Sequence, residues 1–262
     1  MKQIIKAFAK LNLLLNILPK KDGESKHQLQ SIFCLDYMHY DEIIVEDANA
    51  LSVVYYQQAQ QINISNDSVS AGIVWLMKKF PHLKFNYKIT INKHIPIGSG
   101  LGGESSDCAV VMNFILKQNN CYLSNELMLD LALNVGSDIG FFLSQLPQAY
   151  VCDYGNIVLP LPSFKINYCL AISNVSTSTK EVFACFDKLN STITNSYSYQ
   201  ECWQIITNWQ WDKLTNNLLT SALTVNKELK LIYQALLINY PSYYVLLNGS
   251  GSSFLLISKS KL

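Results

Sequence analysis

The chain has 262 residues, 49% of them apolar and 15% charged, with a formal net charge of +1. That is enough for one large domain or two small ones around a sizeable core, and it excludes a disordered chain. All twenty basic residues are lysine and they do not cluster. Nucleic acid is therefore a poor partner, and no arginine finger or guanidinium clamp can come from this chain.

Residues 4 to 18 alternate, with Ala9, Leu11, Leu13 and Leu15 on one face and Phe8, Lys10, Asn12 and Leu14 on the other. This predicts a strand whose first face is core. Lys10 and Asn12 then stand side by side in apolar surroundings. A lysine there either reaches solvent at a sheet edge or has a partner, because an unpaired buried charge is costly. Lys20-Lys21-Asp22-Gly23 reads as a turn. Beyond His27 the chain reaches Ile32, Phe33 and Leu35, then a short strand over Asp41 to Glu46 and a strand pair within 51–64. Asn66 to Phe80 has helical spacing, and Phe85 to Asn92 alternates as a strand.

Four glycines then fall within six positions, at Gly98, Gly100, Gly102 and Gly103. Ser105, Ser106 and Asp107 are N-cap residues for an apolar helix over Cys108 to Leu116. A glycine loop that opens a helix fits an anion site, with free N–H groups and the positive dipole end converging. By themselves the glycines fit a plain loop-to-helix turn equally well. Gly98-x4-Gly103 has the spacing of a Walker A loop, but Glu104 stands where its lysine belongs. A dinucleotide fingerprint needs an acid about 20 positions on, and the stretch from Cys108 to Asn125 has none. The kinase motifs His-Arg-Asp and Asp-Phe-Gly are absent.

Ser124 is placed to cap a second helix that ends near Gly136. Asp138 follows, ahead of Phe141 and Phe142, as either a cap or a working carboxylate. A hairpin is expected over 149–161 and a strand over Lys165 to Ser173. Helices are expected over Thr179 to Leu189 and across most of 201–240, with a polar loop over 190–200. Val245 to Ser258 reads as strand, turn, strand. Its Asn248-Gly249-Ser250-Gly251-Ser252 segment is either a hairpin turn or a ligand loop. Strands first, then mixed helices and strands, predict an α+β protein of two lobes meeting near residue 150. No apolar run reaches membrane-span length, and the start runs into a strand without a cleavable signal. Seven cysteines without a Cys-x-x-Cys pair read as reduced core residues of a cytoplasmic protein.

Several stretches together resemble one family. They are Ala9-Lys10-Leu11-Asn12-Leu13, Asp22-Gly23 with His27 to Phe33, Lys93 with Ile95-Pro96, Gly100 to Asp107, Gly136-Ser137-Asp138-Ile139-Gly140-Phe141-Phe142 and Gly249-Ser250-Gly251. In this order they resemble the GHMP small-molecule kinases, in particular the branch acting on a cytidine-diphosphate-linked methylerythritol. The resemblance implies a lobe of ribosomal-protein-S5-like type over 1–150 and a ferredoxin-like lobe over 151–262. ATP and the alcohol would lie between them, with Mg2+ held by phosphate oxygens and water, and Ser105 or Ser106 in reach but no firm protein ligand. It also implies a monomer or homodimer.

By the same resemblance Lys10 and Asp138 are catalytic, Asp138 accepting the hydroxyl proton and Lys10 orienting it. Pro96, Ile97, Gly98, Ser99, Gly100, Leu101, Gly102, Gly103, Glu104, Ser105 and Ser106 would hold the phosphates, and Asn66 and Lys93 would lie near the adenine. Asn12, His27, Thr179 and Phe183 would meet the substrate. The chain departs from the pattern at Glu104 (a glycine there), Lys26 (a tyrosine), Gly140 (a proline) and Asn217 (an aspartate). Other GHMP kinases, acting on homoserine, mevalonate or a sugar, and a non-catalytic nucleotide-binding homologue are the alternatives.

Overall fold

The computed structural model describes residues 2–21, 23–64, 67–173, 175–189 and 196–260. Asp22, Asn66 and residues 190–195 of the expected polar loop lie outside that set. The chain forms two sheets with helices against them, an α+β arrangement of two lobes. The larger sheet is built on β1 (Lys2–Ile17) and β2 (Leu29–Asp47), antiparallel along nearly their whole length. The other edge of β2 is shared. Its second half pairs with β5 (Tyr87–Asn92) and its first half with β6 (Gln148–Asp153). The expected short strand over Asp41 to Glu46 is thus the end of a strand of 19 residues. A hairpin of β3 (Ser52–Gln57) and β4 (Gln60–Ile62), with β3 parallel to β5, completes one side; β7 (Ile157–Pro160) completes the other. Since β6 and β7 stay in this sheet, the first lobe runs to Pro160, beyond the expected boundary near residue 150.

Four helices pack here: α1 (Ser68–Lys79), α2 (Gly103–Gln118), α3 (Asn125–Asn134) and the short α4 (Ile139–Ser144). The carboxylate of Asp67 caps α1 by accepting from the Ser70 N–H at 3.0 Å, and Ser124 caps α3. The start of α2 differs from the reading of Ser105 to Asp107 as caps. The helix begins at Gly103, its N-cap Gly102 is left-handed (φ +72°), and no side chain caps it. The second sheet has the order β8 (Tyr168–Ala171), β10 (Phe254–Ser258), β9 (Tyr243–Leu247), all antiparallel. It pairs three strands among the described residues, whereas the ferredoxin-like plan has four. The helices of this lobe are α5 (Thr179–Lys188), α6 (Tyr199–Thr207), α7 (Leu219–Val225) and α8 (Lys227–Asn239).

The strand β1 is the shared wall. Ala9, Leu11, Leu13 and Leu14 pack with Ile205, Trp211 and Leu255 of the second lobe. Ala7, Leu15 and Ile17 pack with Phe33 and Phe141 in the first. Register shifts after Phe8 and around Leu13 switch the faces. The alternation expected through Leu15 therefore fails at Leu13, and Leu15 joins the side of Lys10 and Asn12. All seven cysteines are free; Cys34, Cys108 and Cys202 are buried, while Cys169 is exposed rather than in the core. No helix among the described residues is long and apolar enough to cross a membrane.

Candidate active site

A cleft of about 680 Å³ opens between the lobes. Its floor is β1, its rim the glycine loop before α2, and its other walls the start of α4, the first turn of α5 and the β9–β10 turn. Lys10 on β1 is 2% exposed. Its Nζ lies 3.3 Å from Oδ2 of Asp138, donates to Oδ1 of Asn12 and sits 4.8 Å from the centroid of the Phe33 ring. The buried ammonium thus has a partner, not a path to solvent. Asp138 stands at the N-cap position of α4 yet makes no capping hydrogen bond. Its carboxylate is left to Lys10 and the cleft, so the cap reading fails.

The glycine rim is fixed from behind by a residue the sequence did not single out. Asn248 is fully buried. Its Oδ1 accepts from the Asn12 N–H at 2.6 Å, and its Nδ2 donates to the carbonyls of Gly100 at 2.9 Å and Lys10 at 3.2 Å. One amide therefore ties β1, the glycine loop and the β9–β10 turn together. The hairpin reading of 248–252 is right and incomplete. A Cβ on Gly100 would stand 2.2 Å from the Asn248 carbonyl oxygen, and one on Gly102 would stand 3.0 Å from Lys10 Cγ. Only glycine allows the loop to pass so close at these positive φ angles. Among the described residues, the N–H groups of Gly98, Gly100, Gly102 and Gly103 donate to no protein acceptor. With the uncapped start of α2 beside them, they form an anion cradle.

Not every rim residue faces the cleft. Pro96, Ile97, Gly98, Ser99, Gly100, Gly102, Gly103, Glu104 and Ser105 line it. Leu101 does not: its side chain is fully buried in the core, and its carbonyl accepts from the Lys10 N–H at 2.9 Å. Ser106 is also turned away, its hydroxyl donating to the Phe8 carbonyl at 2.7 Å. Of the two serines, only Ser105 is placed to reach a cleft-bound metal.

Lys93 lines the cleft, but its ammonium is committed. It donates to Oδ2 of Asp41 and, at 2.6 Å, to Oδ2 of Asp107, all three residues being at most 3% exposed. Asp41 also accepts from the N–H groups of His94 and Ile95. The cluster staples β2, the entry to the glycine loop and the second turn of α2, so the ammonium expected near the adenine belongs to a structural knot. Burial pulls the Lys93 pKa down, and the two carboxylates outweigh that and raise it. Burial pushes Asp107 up to about 8; Lys93 opposes this and Asp41 adds to it. Physically, one buried ammonium does not neutralise two buried carboxylates, so the pair retains a proton.

A folded-state pKa of about 8 against an unfolded value of 3.8 means the folded chain holds the Asp107 proton more tightly. That contribution is complete below about pH 4 and is lost as pH rises through about 8. We expect the urea midpoint of the wild-type chain to fall over that interval. Asp107→Asn flattens the profile; an unchanged slope in the variant would assign the titration elsewhere.

At the other end of the cleft, His27 donates from Nδ1 to the Leu18 carbonyl at 2.7 Å. Its Nε2 lies 2.8 Å from Oδ1 of Asp187, close but out of hydrogen-bonding line. Its ring faces that of Phe183 at 5.5 Å, tilted by 38°. Nδ1 is thus held by the protein while Nε2 makes no hydrogen bond, and His27 and Phe183 present a ring wall to the cleft. The Thr179 and Ser250 hydroxyls hydrogen-bond at 2.8 Å within the second lobe, joining α5 to the β9–β10 turn. Lys26 spans to α3, donating to the Ala132 carbonyl at 2.8 Å, and burial lowers its pKa. Asn66 lies outside the described residues.

A buried lysine–carboxylate pair beside an open glycine cradle in an interlobe cleft is the arrangement of a small-molecule phosphotransferase. Residues 68–145 match the family model described as GHMP kinases N terminal domain. The chain is 34% identical over 261 residues to 4-diphosphocytidyl-2-C-methyl-D-erythritol kinase of Ureaplasma parvum serovar 3, spanning 97% of this chain and 94% of that one. The crystal structure of a 4-(cytidine 5'-diphospho)-2C-methyl-D-erythritol kinase superposes with a TM-score of 0.74 at 22% identity, over 99% of this chain and 91% of that one. Mevalonate pyrophosphate decarboxylase from Streptococcus pyogenes shares the fold, with a TM-score of 0.65 at 13% identity over 98% and 89%. The chain belongs to the GHMP kinase superfamily and is a small-molecule phosphotransferase of that type. Within the superfamily it is homologous to the 4-diphosphocytidyl-2-C-methyl-D-erythritol kinases.

Proposed function

We propose that this protein transfers the γ-phosphoryl group of ATP to the 2-hydroxyl of 4-diphosphocytidyl-2-C-methyl-D-erythritol, a step in non-mevalonate isoprenoid precursor synthesis. The observation that carries the reading is the Lys10–Asp138 pair at 3.3 Å on the cleft side of the glycine cradle. Phosphoryl transfer asks a protein chiefly for positioning and charge stabilisation. The free N–H groups of the rim would hold the phosphates. Asp138 would take the proton of the acceptor hydroxyl as it attacks, and Lys10 would fix that carboxylate and offset charge on the transferring group. Asn12, oriented by Ser31 at 3.1 Å and by the Lys10 ammonium, would direct the acceptor. The ring wall of His27 and Phe183 suits a flat base such as cytosine, with Thr179 beside it. ATP carries the phosphoryl group, and Mg2+ supplies countercharge to its oxygens.

The homology over 97% of the chain supports the cytidylated acceptor over homoserine, mevalonate or a sugar. The N-terminal lobe is read as S5-like and the C-terminal lobe as ferredoxin-like, in a cytoplasmic enzyme that is a monomer or homodimer. A coupled assay of ADP release tests the function. With ATP and Mg2+, release is expected to depend on the cytidylated alcohol. Release that follows homoserine or mevalonate instead would move the substrate, and nucleotide binding with no release for any alcohol would make the chain non-catalytic.

A further inference from the structure

The two buried ammonium groups nearest the glycine rim are both committed, and the exposed Lys180 lines the cleft from the first turn of α5. Lys10 is paired with Asp138, and Lys93 is shared between Asp41 and Asp107. No arginine exists in the chain to add more. A triphosphate brought to this rim would meet, in addition, the carboxylate of Glu104 in the first turn of α2. That side chain is half-buried, and among the described residues it has no hydrogen bond and no ion pair. Burial raises its pKa, Lys93 lowers it and Asp67 raises it again, the balance being upward. A carboxylate so placed opposes a bare nucleotide and favours one that arrives with a divalent cation.

We infer that Glu104 is a protein ligand to the divalent cation of the nucleotide complex, sharing the metal with phosphate oxygens at the glycine rim. The inference rests on the reading that this cradle binds ATP. The fit is chemical: Mg2+ takes oxygen donors, commonly one carboxylate together with substrate phosphates and water. Glu104 and Asp138 are the carboxylates lining the cleft, and Asp138 is engaged by Lys10. The neighbouring Ser105 hydroxyl also lines the cleft and adds a neutral oxygen. The carboxylate thus changes a cradle of N–H groups, which accepts an anion directly, into one that selects the metal-bound anion.

The test is calorimetric titration of ADP into the full chain with Mg2+ and with EDTA, for wild type, Glu104→Gln and Glu104→Gly. Mg2+ is expected to tighten ADP by about tenfold or more in the wild type and by less than about threefold in both variants. The variants are also expected to bind metal-free ADP more tightly than wild type, because a repulsive charge is gone. ADP binding whose metal dependence is the same in all three proteins would overturn the role of Glu104 and leave the proposed function standing. Absence of ADP binding to wild type under either condition would overturn both. Matching thermal midpoints for the three proteins establish that the comparison is between folded chains.

Discussion

Asp138→Asn is expected to lower turnover by about a thousandfold while leaving ATP affinity within about threefold of wild type. The reason lies in what the carboxylate does and does not touch. It caps no helix, so its loss removes no secondary-structure bond. Its nearest charged partner is the Lys10 ammonium at 3.3 Å, and its side chain is 28% exposed toward the cleft. Asparagine keeps the shape and can face Lys10 with its amide oxygen, but it cannot accept the hydroxyl proton as the acceptor attacks. The glycine rim proposed to hold the phosphates is made of backbone N–H groups on a different segment, so nucleotide binding is expected to be retained. Rapid-quench single-turnover kinetics separate the chemical step from product release. Near-normal single-turnover rates in the variant would remove Asp138 from the base role.

Asp41→Ala is expected to have the largest effect on stability, about 3–5 kcal/mol, because it removes a buried acceptor shared by two backbone N–H groups and an ammonium. Asp41 is fully buried and holds the Lys93 ammonium together with the N–H groups of His94 and Ile95. Removing it leaves two backbone donors unpaired and Lys93 with Asp107 alone. These donors lie immediately before Pro96, so the damage falls on the entry to the glycine rim. Urea denaturation gives the stability loss, and the Michaelis constant for ATP is expected to rise with it. A variant that loses stability but binds ATP normally would separate the knot from the phosphate site.

Much of this was legible in the sequence, and the exceptions have physical causes. The glycine cluster, Lys10 and Asp138 stand out because each violates a local rule: glycines crowd, a lysine interrupts an apolar strand, an acid precedes paired phenylalanines. Alternation located β1 as well, but period-two reasoning does not detect a bulge, and the one at Leu13 carried Leu15 to the cleft side. The partners of Lys93 were not legible. Asp41 lies 52 residues before it and Asp107 lies 14 after it, and only the sheet and α2 bring them together. Asn248 was hidden differently. Asn-Gly is the ordinary signature of a hairpin turn, so local chemistry explained it without the hydrogen bonds it sends to β1 and the glycine loop. The start of α2 was placed late because Ser105 to Asp107 look like caps, whereas the uncapped Gly102 leaves the helix end open to the cleft.

The most direct measurement is a crystal structure of the chain with a non-hydrolysable ATP analogue and 4-diphosphocytidyl-2-C-methyl-D-erythritol. The γ-phosphate is expected against the glycine rim, with the acceptor 2-hydroxyl about 2.6–3.2 Å from an Asp138 carboxylate oxygen. A nucleotide seated away from the rim, or an acceptor hydroxyl out of reach of Asp138, would contradict the account.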